Sequence, residues 1–225
     1  MPKIKALPRI VSEKEWQKER DALLKKEKKL TRELDKLAAA RRRLPMVEIE
    51  KNYEFEGPNG KVSLLDLFED RKQLLVYHFM YHPEEDRFCI GCSFLVDQLG
   101  HPAHINARDV SLAIISRAPL ASIKRHKKKL GWEWPWYSSA KSTFNQDFGM
   151  TTEEGDHHGM SVFIRDGKKI YRTYFTTARG VESLGTAWSL LDITPYGRQE
   201  KWEDSPKGWP QSEPYYWWRF HDEYK

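Results

Sequence analysis

LLVYHFMYHPEEDRFCIGCSFLV, residues 74–96, is the stretch whose reading decides the fold. Leu74 to Met80 is a continuous run of strand length, suited to a sheet covered on both faces. A short loop follows, then Cys89-Ile90-Gly91-Cys92, and Ser93–Leu99 carries a helical pattern onward. Two thiols three residues apart on a first helical turn can close a small disulfide ring with little rearrangement. Unsatisfied N–H groups and the helix dipole at that turn favour thiolate on the first sulfur. Cys89 is therefore the expected nucleophile, toward a disulfide or a peroxide, and Cys92 the expected resolving thiol.

These are the only two cysteines in 225 residues. A disulfide-stapled secreted domain would scatter several at loop spacings. No apolar run approaches the ~20 residues that span a bilayer. The opening MPKIKALPRIVSEKEW lacks the apolar stretch and cleavage site of a secretory leader. A cytoplasmic protein with no membrane partner is expected. Charge is uneven along the chain. Residues 1–43 hold 15 Lys and Arg against 7 Asp and Glu, a net of +8, so a whole-chain charge of +5 leaves the remainder at −3.

Upstream of the dithiol, residues 12–43 read as one long helix. Ser12 and Glu15 form a capping box, and Pro45 disfavours helix in the residue before it. Trp16, Leu23, Leu30 and Leu37 repeat every seven residues, with Leu34 beside them. That thin stripe suits docking on the body or a homodimer through the helix; Arg20 and Glu27 at the other heptad core position weaken a free-standing coiled coil. Val47, Ile49, Tyr53 and Phe55 share odd positions, predicting one half-buried strand. GPNG (57–60) predicts a turn, and Ser63 with Asp66 caps a short helix.

Downstream, VSLAIIS (110–116) predicts a second buried strand. Pro119 opens a helix that Gly131 stops. Residues 161–165 and 169–175 flank Asp166-Gly167, a hairpin signal. A final helix is expected over 179–193, followed by an irregular aromatic tail. The order gives an α/β fold with a central sheet layered by helices. The expected division is a charged helix (1–44), a main domain (45–194) and a tail packed on it (195–225).

Other constellations carry less chemistry. Cys89, Cys92, His101 and His104 have zinc-like spacing, but a helix over 92–100 separates Cys92 from His101 by roughly 13 Å, whereas zinc needs ligands at about 2.0–2.3 Å. Trp132, Trp134 and Trp136 alternate onto one strand face, a core pattern or a pocket wall. Asp97, Arg117 and Asp147 are candidate proton carriers near the expected site. Lys25, Lys26, Lys28 and Lys29 raise nucleic-acid binding, but interleaved Glu27 and Glu33 favour a solvated, salt-bridged face. No Walker loop, G-x-G-x-x-G or H-E-x-x-H occurs.

RRRLPMVEI (41–49), SLLDLF (63–68), LLVYHFMYHPEEDRFCIGCSF (74–94), AIISRAPL (113–120), GWEWPWYSS (131–139), FNQDFG (144–149) and WWRFHDEY (217–224) together resemble a bacterial family of unknown function. That family lies in the thioredoxin-like superfamily, and its members are described as predicted dithiol–disulfide oxidoreductases. The resemblance covers nearly the whole chain and implies a thioredoxin-like fold, with Cys89 and Cys92 at the family's cysteine positions. It places residues 159–172 at the superfamily's hairpin after the substrate-facing loop. Thioredoxins carry a cis-proline just before that strand; here the position falls near Gly159 or Met160, where a trans peptide is expected.

Three functional readings follow. The first is a thiol–disulfide oxidoreductase without cofactor, acting on a protein or small-molecule disulfide or a peroxide. The second is copper binding by Cys89, Cys92 and His157, since the superfamily's copper-chaperone branch carries a histidine near His157 and two thiolates plus an imidazole suit copper. That branch spaces its cysteines C-x-x-x-C, unlike this chain. The third is a non-catalytic interaction scaffold.

Overall fold

A computed structural model describes residues 7–224. The Ser12 hydroxyl caps helix α1 (Glu13–Arg41) by accepting from the Glu15 N–H at 3.2 Å. No residue of this helix is buried, and Trp16, Leu23, Leu30, Leu34 and Leu37 stay 46–60% exposed. The seven-residue stripe is therefore uncovered within the chain. At the helix end, Arg41 lies over the Tyr174 ring at 5.2 Å.

The single strand expected over 47–55 divides. β1 (Val47–Glu48) lies at one edge of the main sheet and β2 (Glu54–Gly57) near the other. Ile49 is held by the Ile170 carbonyl at 2.8 Å, while Tyr53 and Phe55 both meet Phe144 edge-on at 5.1 Å. The apolar residues between thus reach across the sheet instead of along it. β2 turns through GPNG into β3 (Gly60–Ser63), with Gly60 at φ +117. The Asp66 carboxylate accepts from Ser63 N–H and Oγ–H, both at 2.7 Å, and a 3-10 turn (Asp66–Phe68) stands in place of the expected short helix.

β4 (Gln73–His78) leads into a small ribbon of β5 (Tyr81–His82) and β6 (Arg87–Phe88), then α2 (Ile90–Val96). A short α3 (Ala103–Asn106) precedes β7 (Val110–Ser116) and α4 (Leu120–Leu130), which Gly131 ends at φ +66. β8 (Trp136–Ser138) contains only Trp136 of the three alternating tryptophans; Trp132 and Trp134 precede it and pack on the same core. After α5 (Phe144–Asp147), β9 (Thr151–Thr152) and β10 (Gly155–Asp156) make a second ribbon. The hairpin β11 (Gly159–Asp166) and β12 (Lys169–Thr177) turns at Gly167.

The helix expected over 179–193 breaks at Gly185 into a 3-10 stretch, Ala178–Leu184, and α6 (Thr186–Asp192). A Cβ at Gly185 would stand 2.2 Å from the Trp188 ring and 2.6 Å from Gln98 Oε1. Gln98 instead accepts the Ala187 N–H at 2.6 Å and starts the second piece.

The eight-stranded sheet runs β1-β12-β11-β4-β7-β8-β2-β3. β4, β7 and β8 are parallel; β11 runs antiparallel to β4, and β12, antiparallel to β11, runs in the β4 direction. A β4-α2-β7 crossover beside a β11–β12 hairpin, closed by α6, is the thioredoxin-like arrangement. Alternation along β4 sends Leu74 and Val76 into one core with Phe55 and Phe163, and Tyr77 into another with α2. The uninterrupted apolar run is that of a strand covered twice. Among the described residues no helix is long and apolar enough to cross a membrane.

Candidate functional site: the Cys89–Cys92 dithiol

The β5–β6 ribbon carries the chain from the end of β4 to the start of α2. Its fold is fixed by Asp86, which accepts the Tyr81 hydroxyl at 2.7 Å and pairs with Arg125. Phe88 stacks on His126 of α4 at 4.3 Å, and the Cys89 N–H reaches the Met80 carbonyl at 3.2 Å. Cys89 is thereby set as the residue capping α2, extended at φ −67 and ψ 126. Its sulfur accepts the Cys92 N–H at 3.5 Å. The Cys89 carbonyl takes both the N–H and the hydroxyl of Ser93, each at 3.0 Å.

Both thiols are free, and their surroundings differ. Cys89 is half-buried and Cys92 buried. The hydrogen bond from Cys92, joined by the backbone N–H groups of Cys92 and Gly91 and by nearby Arg87, lowers the Cys89 thiol to about 7 against the opposing effect of burial. Burial pushes Cys92 well up, and the charge on Cys89 pushes the same way. The Tyr77 hydroxyl bonds Cys92 from beneath, its own proton held tightly by burial. One accessible thiol is thus poised to ionise near neutral pH, with a protonated one beside it.

A cavity of about 270 Å³ opens on the two sulfurs. Met80, Leu95, Val181 and Trp188 line it from the body, and Tyr215 and Trp218 from the C-terminal tail. Three polar side chains reach it: His158, Arg179 and Glu182. Burial lowers the His158 imidazole, which bonds the Ala178 backbone. Ala178 also lines the cavity and is left-handed at φ +49, a conformation unfavourable for a residue with a Cβ.

The tail reaches this site through a buried carboxylate. Glu200 accepts Trp202 Nε1–H at 2.6 Å, Trp217 Nε1–H at 2.9 Å and the Tyr215 N–H at 2.8 Å. Arg198 links Glu182 at 2.6 Å and Asp192 at 2.6 Å. Trp218 then stacks on Phe94 at 5.2 Å and 11°. A Cβ at Gly91 would come 2.6 Å from the Trp218 ring, so the glycine inside the motif admits the tail.

The remaining expected site residues lie elsewhere. Asp97 accepts from Trp132 Nε1–H and pairs with His221, both at 2.7 Å. Arg117 pairs with Asp156 at 2.7 Å, and Asp147 with Lys51 at 2.6 Å. None of the three lines the dithiol cavity. His157 meets the Thr152 hydroxyl at 3.0 Å; its neighbour His158 lines the dithiol cavity. Among the described residues no three His, Cys, Asp or Glu side chains are grouped to hold a metal ion. The copper trio Cys89, Cys92 and His157 is not assembled in this arrangement, and neither is the zinc set with His101 and His104. The peptide bonds near Gly159 are trans.

Several peroxiredoxin structures align with part of this chain. A PrxQ cysteine variant of Xylella fastidiosa is 11% identical, with 63% of this chain and 89% of that one covered at a TM-score of 0.44. The peroxidoxin BcpB of Mycobacterium tuberculosis is 14% identical, covering 63% and 93% at 0.47. The mitochondrial 2-Cys peroxiredoxin of Plasmodium falciparum is 15% identical, covering 65% and 92% at 0.45. No curated protein matches the sequence. A family model described as a bacterial protein of unknown function, DUF899, matches residues 5–224, and the chain belongs to that family.

Proposed function

We propose that this protein is a thiol–disulfide oxidoreductase in which Cys89 attacks and Cys92 resolves. The observation that supports it is the asymmetry of the pair: Cys89 opens on a cavity and is lowered to about 7, while Cys92 is buried and held as the thiol. An attacking thiol works best with its pKa near ambient pH.

With a disulfide, the Cys89 thiolate forms a mixed disulfide and expels one thiolate, which takes up a proton. Cys92 then gives its proton to the second leaving sulfur and closes the Cys89–Cys92 bond. With a hydroperoxide, an S–O bond forms as the O–O bond breaks, leaving a sulfenic acid on Cys89 and expelling an alkoxide that takes up a proton to leave as the alcohol. Attack by Cys92 expels that oxygen as water. Either way the dithiol supplies two electrons, and an external dithiol restores it.

The test is single-turnover oxidation of the reduced protein by a model disulfide. Loss of two thiols per chain is expected, with turnover abolished in Cys89→Ser and a trapped mixed disulfide in Cys92→Ser. A reduction potential below about −300 mV with an unreactive Cys89 would mark a structural disulfide and end this reading.

A further inference from the structure

Resting on that redox reading, we propose that the site takes small oxidants, with the O–O or S–S bond carried on one compact apolar group, and refuses polypeptide disulfides because the C-terminal tail walls the dithiol. The cavity volume of about 270 Å³ lies near the lower end of the roughly 300–1,000 Å³ of small-molecule pockets. Apart from His158, Arg179, Glu182 and the Tyr215 hydroxyl, the cavity side chains are apolar or aromatic beyond the thiols themselves. A compact hydrocarbon group gains by filling such a space.

The wall is built into the fold. Trp218 lies face to face on Phe94, edge-on to Trp188 at 6.0 Å and against Tyr215 at 4.5 Å. Behind it, Arg198 ties the tail to the body through Glu182 and Asp192, and Glu200 gathers the tail's own donors. The Trp218 ring stands against Gly91, between the two cysteines in sequence. A polypeptide would have to bring its attacked sulfur within about 3–3.5 Å of Cys89 with chain on both sides of it. Its backbone N–H and C=O groups would then lie against indole faces without partners, which is costly. Neither β4 nor β11 offers them a free edge, because each is paired on both sides.

The experiment holds chemistry constant and varies size. Reduced protein is mixed with ethyl 2-pyridyl disulfide, or with the same thiopyridyl group mounted on the cysteine of an unfolded polypeptide. Each rate is normalised to that of free cysteine, and cumene hydroperoxide in a third arm separates O–O from S–S oxidants. A small oxidant at least about tenfold faster than the polypeptide is expected, with the gap narrowing in Trp218→Ala. Equal or faster reaction of the polypeptide in the unaltered protein would overturn the size selection while leaving the redox reading intact. If no reagent in any arm oxidises the dithiol, the redox reading itself falls.

Discussion

Cys89 and Cys92 have the same side chain on adjoining turns of backbone, and their difference in acidity comes from which partner each sulfur meets. The hydrogen bond from Cys92 is the largest influence lowering Cys89, so removing that donor should show directly. The thiolate is the reactive form, and a lowered pKa means it persists below the ordinary thiol range and is lost as pH falls through about 7. Alkylation of Cys89 by iodoacetamide should therefore rise with a midpoint near pH 7 and level off above it. In Cys92→Ala the midpoint should move up, with the rate at pH 7 falling about tenfold for each pKa unit gained. An unmoved midpoint would mean that the backbone groups alone set the acidity. The motif itself was legible because its spacing and preceding strand carry the signal. Its neighbours were not. His157 and His158 are adjacent, and adjacent residues of an extended chain face opposite ways, so composition alone could not choose between them. Arg179 and Glu182 fall within the stretch expected as one helix and belong to no motif; they line the cavity from the 3-10 stretch before Gly185.

At the scale of elements, the regular periods were readable and the long-range ties were not. β4, β7, α4 and the β11–β12 hairpin follow from apolar runs and turn residues that act locally. The 47–55 stretch kept a period of two, yet its halves answer to opposite edges of the sheet. The tail has no period at all. Its aromatic residues foretold packing, but the hub is Glu200, a residue type rarely buried without partners. Here its carboxylate collects two indole N–H groups and one backbone N–H. Glu200→Leu would leave those three donors unmet, at about 1–3 kcal/mol each. Limited proteolysis should then cut within 198–220 before the sheet domain is touched, whereas the unaltered tail resists. A digestion pattern identical in the two proteins would show that the aromatic stacks hold the tail without the carboxylate.

Across the whole molecule, the sheet separates two apolar cores, and a buried imidazole packs against aromatic rings in each. His78, at the end of β4, stacks on Phe144 at 5.4 Å and meets the Ser161 hydroxyl at 2.8 Å; burial, with Arg172 nearby, lowers it to about 3. His126 lies on the dithiol side between Phe88 and Ser93, lowered to about 4 by burial and by Lys129, with Asp222 acting the other way. Both folded values lie below that of an unfolded histidine, so the unfolded chain binds more protons at mildly acidic pH. The stability these groups confer is complete above about pH 6.5 and is lost as pH falls toward 4 for His126 and 3 for His78. Urea unfolding should accordingly show a free energy that declines below pH 6.5, each histidine adding up to about 1.4 kcal/mol per pH unit. His126→Phe keeps a ring against Phe88 and removes that imidazole's proton, so its decline between pH 6.5 and 4 should be shallower by about one proton. The comparison of slopes isolates the imidazole from carboxylates such as Asp66, whose folded value is also lowered, by its hydrogen bonds from Ser63, and whose contribution is common to both proteins. Equal slopes in the two proteins would show that His126 takes up its proton without opening the core on the dithiol side.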